Sequence, residues 1–166
     1  SFGAHGPNRD GTSGLDILAN GGRGAGDANL NYAGYNGAAA FETWGGTSRS
    51  SPVAAGNMAL LFQAYKDRFG EWPTWNQVLS IAKSSATNSV SSPFLQGAGV
   101  VNSDRMTDVA AGIYGVYADI DEWQVGDWEG KEYLNFAKVA WPNTSYVKTF
   151  TITNPSGYDI DLDLSD

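Results

Sequence analysis

The sequence predicts an α/β chain whose last strands open a β-sandwich, and three observations carry that prediction. Short apolar segments set among glycines fill residues 1–46. Apolar side chains recur every three or four residues in two stretches between Ser48 and Ala86, and alternation of apolar and polar residues takes over after Tyr146. With 166 residues, 42% of them hydrophobic, the chain has enough apolar surface for one core, and its six tryptophans need partners to cover them.

Residues 1–46 read as loops around one or two short strands, with Leu15-Asp16-Ile17-Leu18-Ala19 as an apolar piece and Asn20 to Gly37 as a long surface loop. The glycines of that loop do not make a phosphate cradle, because no apolar strand leads from them into a helix. Val53, Ala54, Met58, Leu61, Phe62 and Tyr65 mark one face of a helix from Ser48 to Phe69, which Gly70 stops after Lys66 and Arg68. Pro52 fits only near a first turn, so this helix begins close to Ser48. Thr74 caps a second helix running to about Ala86, with Val78, Ile81, Ala82 and Ser85 on one face. A turn at Ser91-Ser92-Pro93, a short strand or turn over Gln96–Asn102 and a short helix over Ser103–Ala111 follow.

After Gly112 the composition turns acidic and aromatic, which makes 112–145 a linker. Phe150 and Ile152, the turn Asn154-Pro155-Ser156-Gly157, and then Tyr158, Ile160, Leu162 and Leu164 predict a β-hairpin over 146–166. Two strands cannot bury an apolar face unaided, so the sandwich they begin is expected to continue past Asp166.

Ten basic against eighteen acidic residues give a net charge of −8, which disfavours nucleic acid and anionic membrane as partners. The absence of cysteine excludes disulfides and thiolate-metal sites, and no apolar run approaches the ~20 residues that span a bilayer. A chain that opens on Ser1 and not on methionine is expected to be processed or truncated.

The stretch that carries chemistry is Gly46-Thr47-Ser48-Arg49-Ser50-Ser51-Pro52-Val53-Ala54-Ala55-Gly56: a glycine turn, a hydroxyl pair, and a helix opening on small residues. A serine at a helix N-terminus lies among unpaired backbone amides, at the positive end of the macrodipole. An isolated Gly-Thr-Ser more often only caps a helix. This stretch, however, resembles the nucleophile signature of the subtilases, the subtilisin-like serine proteases, and meets it at every constrained position.

Two further segments are similar to family elements. Ser1-Phe2-Gly3-Ala4-His5-Gly6-Pro7, with Asp10-Gly11 and Leu15 to Gly21 after it, resembles the strand-turn ahead of the nucleophile. Gln96-Gly97-Ala98-Gly99-Val100-Val101-Asn102 resembles the element that closes the catalytic domain. The resemblance spans roughly residues 1–111 and implies the C-terminal part of a parallel-sheet catalytic domain.

It implies Ser48 as the nucleophile, with its own backbone N–H as one oxyanion donor and Gly46, Thr47 and Pro52 in support. It also implies that Ser50, Ser51, Ala54, Ala55 and Gly56 let the helix pass close to a central sheet. Protein or peptide substrates and an exported location follow from the resemblance alone. The family's Asp, His and oxyanion Asn precede the segment that opens this chain, so the missing N-terminal part of the domain is expected to supply them, and the chain alone is expected to be inactive. Two positions depart from the pattern: Asn20 stands where proline is usual, and Arg49 where methionine is common.

Other residues invite chemistry that simpler readings explain. His5, the one histidine, lies in the Gly-Pro turn and is expected to be structural or exposed. Thr12-Ser13-Gly14 lacks a following small-residue helix and reads as a turn. Asp159, Asp161 and Asp163 lack the glycine and glutamate of a calcium loop. No cofactor or metal site is identifiable, and calcium enters by family analogy only. The tryptophans between Asp119 and Glu132 are expected to cover a domain seam. The alternative to a protease is a non-catalytic subtilase-like scaffold or a surface adhesion or binding module.

Overall fold

The computed structural model describes residues 3–8, 14–22, 24–27, 41–119, 142–143, 145 and 149–163. Along the chain these form β1 (Gly24–Asp27), β2 (Phe41–Trp44), α1 (Thr47–Phe69), α2 (Trp75–Ser85), α3 (Pro93–Gln96), α4 (Ser103–Ala110), β3 (Tyr117–Ala118) and β4 (Ile152–Thr153).

The core lies where α1, α2 and α4 meet. Leu61 and Tyr65 enter it from α1, Val78, Ile81 and Ala82 from α2, Met106, Val109 and Ala110 from α4, and Tyr117 from β3, with Met58, Phe62 and Ala64 packed around them. These are the faces that the three- and four-residue spacing marks, and Ser85 is buried on the same side of α2, its hydroxyl donating to the Ile81 carbonyl at 2.7 Å. Helix α2 starts in a capping box in which Thr74 accepts from the Gln77 amide and donates its own amide to the Gln77 side chain at 2.8 Å. Helix α1 stops at Gly70, whose left-handed backbone (φ 75°) returns its N–H to the Lys66 carbonyl at 2.9 Å. Asn102 caps α4 by accepting from the Arg105 amide at 3.1 Å. The Ser103 hydroxyl donates to Asn57 and so joins α4 to the middle of α1.

Beside the helices, three segments meet at Val100. Leu18 lies parallel to it, donating to the Gly99 carbonyl at 2.7 Å and accepting from the Val101 amide at 2.8 Å, while Thr87 exchanges two bonds with Val100 in the antiparallel sense. Among the described residues the parallel pairing is that bridge, and the strand pairs β1–β2 and β3–β4 are antiparallel. Among the small residues of α1, Ser51, Ala55 and Gly56 are exposed while Ser50 and Ala54 are half-buried, and a Cβ added at Gly56 would meet nothing within 4 Å.

The terminal hairpin also differs from expectation. Ile152–Thr153 pairs antiparallel with Tyr117–Ala118, and residues 158–163 are not in a strand. Asn154 accounts for this: its side chain accepts from the Ser156 amide at 2.9 Å and donates to the Tyr158 carbonyl at 2.7 Å, taking groups that a returning strand would use. Tyr117, anchored in the core, gives β4 its partner instead. No second sheet layer forms among the described residues. The linker tryptophans lie outside them.

Replacing Leu61, fully buried, with Ala should lower unfolding stability by about 2–5 kcal/mol, whereas Leu60→Ala on the exposed side should stay within about 0.5 kcal/mol; urea denaturation compares the two. Burial raises the Tyr65 phenol above its ordinary value, with Tyr117 and Glu71 pushing the same way and the hydrogen bond from Gln77, at 2.8 Å, opposing. The unfolded tyrosine therefore ionises first: stability complete below pH ~10 should fall as pH rises through the folded value, and Tyr65→Phe should flatten that alkaline decline in a pH series of denaturation curves.

Candidate active site

The antiparallel pair β1–β2, in register from Gly24 opposite Trp44 to Asp27 opposite Phe41, delivers the chain to Gly46. Gly46 holds φ 138° and ψ 176°, a region essentially closed to residues with a Cβ, and α1 begins at the next residue. The Gly46 carbonyl accepts from the Arg49 amide at 3.1 Å, the Ser50 amide at 3.3 Å and the Ser50 hydroxyl at 3.3 Å. The Gly46 amide donates to the buried Gly21 carbonyl at 2.8 Å.

Ser48 is the second residue of the helix and is exposed, as is Thr47. With the first carbonyl taken by residues 49 and 50, the amides of Thr47 and Ser48 find no acceptor among the described residues. Two unpaired donors at the positive end of a 23-residue helix, beside an exposed hydroxyl, are suited to receive negative charge that develops on an oxygen bonded to that hydroxyl's carbon partner. Pro52 occupies the sixth helical position, in a helix that begins one residue before Ser48, so it offers no N–H to the Ser48 carbonyl. The motif's four marked positions, Gly46, Thr47, Ser48 and Pro52, thus share two consecutive turns.

Arg49, half-buried, reaches away from the helix and donates from its guanidinium to the Gly22 carbonyl. Asn20 meets the same residue from the other side, its side chain accepting from the Gly22 amide at 2.9 Å. The sequence marks Arg49 and Asn20 only as departures from a pattern; the Asn20 bond to Gly22 is local, whereas the Arg49 bond is tertiary and has no signal in local spacing.

The other singled-out residues are not drawn into this arrangement by the geometry described. His5 is exposed, next to Gly6, whose amide donates to the Phe94 carbonyl at 2.9 Å. Asp159, Asp161 and Asp163 are exposed, and no group of three or more His, Asp or Glu side chains is arranged to hold a metal among the described residues. Ser1, Phe2, Asp10, Gly11, Thr12 and Ser13 lie outside the described residues. Among those described, no helix is long and apolar enough to cross a membrane.

An exposed serine thus stands at the start of a long helix, entered through a glycine whose backbone a Cβ would strain. The chain belongs to the subtilase family, whose sequence profile it matches over residues 1–99. That match contains the whole Gly46–Gly56 signature and ends at Gly99, inside the glycine-rich segment that meets Thr87 and Leu18. No curated protein and no solved structure matches the chain.

Alanine at position 46 would have to adopt the same backbone, so Gly46→Ala should cost roughly 1–3 kcal/mol. A drop in thermal midpoint larger than that of Ala55→Gly, on the exposed face of α1, checks it.

Proposed function

We propose that this chain carries the nucleophile of a serine endopeptidase. Ser48 Oγ attacks the carbonyl carbon of a peptide bond, the amine leaves, and water then hydrolyses the resulting ester to free Ser48. The observation that supports this reading most directly is the exposed Ser48, whose amide has no acceptor among the described residues, within the signature of the subtilase family. In the tetrahedral intermediate the Ser48 N–H is one donor to the oxyanion.

A hydroxyl is a weak nucleophile without a base to take its proton, and loss of a single triad member costs on the order of 10⁴-fold or more. The sole histidine, His5, belongs to the Gly-Pro turn and not to a base motif. We therefore assign the base, its orienting carboxylate and the second oxyanion donor to chain outside this sequence, and residues 1–166 alone to an inactive state. In this reading residues 1–111 belong to the catalytic domain, 112–145 to a linker and 146–166 to the start of a sandwich module. The substrates are proteins or peptides, and the enzyme works outside the cell.

Fluorophosphonate labelling tests the reading. The intact protein should label on the peptide that bears Ser48, while Ser48→Ala and the isolated 166-residue chain should not label. A folded intact protein that resists labelling is a non-catalytic scaffold, and the protease reading is then wrong.

A further inference from the structure

We propose that Arg49 is a positioning residue that ties Gly21 and Gly22 to the first turn of α1 and thereby fixes the orientation of Ser48. Two bonds on either side of Ser48 end on consecutive carbonyls: the Gly46 amide donates to Gly21, and the Arg49 guanidinium to Gly22. Ser48 is thus bracketed within four residues of helix start by anchors on one short strap. A single anchor leaves the turn free to pivot; two remove that freedom.

The strap is shaped to receive the guanidinium. A Cβ at Gly24 would overlap Arg49, so glycine there leaves space for the planar group to lie along the backbone. Asn20 accepts from the Gly22 amide and holds that residue in a turn, its carbonyl presented to Arg49. Methionine at position 49 would have no N–H to donate, so the tether depends on the guanidinium. The two positions at which the chain departs from the family pattern act on one residue.

The consequence for catalysis rests on the protease reading, but the tether does not, so the experiment has two arms. Amide hydrogen exchange at Gly46 reports the strap in the protein directly. Arg49→Met and Gly24→Ala, whose methyl displaces the guanidinium, should each speed Gly46 exchange at least about tenfold while buried α2 and α4 amides keep their protection. Arg49→Lys, which keeps one donor without the fork, should fall between them and the wild type. Unchanged Gly46 exchange in both Arg49→Met and Gly24→Ala overturns the tether.

In the intact protein, Arg49→Met should lower kcat about tenfold or more with KM within about twofold, because orientation and not binding is lost. Labelling and turnover equal to wild type in Arg49→Met overturn the positioning role. An intact wild-type protein that fails to label overturns the protease reading instead, and the exchange arm still decides the tether.

Discussion

The Gly46 carbonyl closes the first turn of α1 by accepting two amides and a hydroxyl at once, and the glycine's own N–H is spent on the strap behind it. Because those acceptors and donors are used up, the next two amides have no acceptor among the described residues, at the positive end of a long helix. A side chain at position 46 would forbid the backbone that makes this arrangement, so the exposure of Ser48 is a consequence of backbone geometry before it is a matter of serine chemistry. The two ends of α1 are therefore held differently: the serine-bearing end by hydrogen bonds, the far end by the apolar core through Leu61 and Tyr65.

What was legible in the sequence divides along the same line. Helix α2 is read almost residue by residue, from its Thr74 cap to the buried face of Val78, Ile81, Ala82 and Ser85, because capping and periodicity are local. Helix α1 is equally clear in its core face and in its Gly70 stop. The candidate site was legible as a signature, and Ser48 stands at the start of a helix where the signature puts it. The C-terminal hairpin misled: alternation around Ile152 and Leu162 is a true strand pattern, but the Asn154 and Ser156 side chains bind the turn's backbone, and Tyr117, far away in sequence, pairs with Thr153 instead. Pairing between distant segments is not encoded in a period of two.

Arg49 marks the other limit. As a residue it is only an odd charge beside the expected nucleophile; as a contact it joins the first turn of α1 to Gly22, 27 positions earlier. The glycines around it carry matching information, since Gly24 gives it room and Gly22 gives it an acceptor. A departure from a family pattern thus becomes interpretable only when its partner is known, and here the partner is backbone.

The most direct measurement is a crystal structure of the intact protein after reaction with a small fluorophosphonate. The account predicts phosphorus bonded to Ser48 Oγ, with one phosphoryl oxygen about 2.7–3.1 Å from the Ser48 amide at the head of α1. Phosphorus on another residue, or a phosphoryl group on Ser48 turned away from that amide, would contradict it.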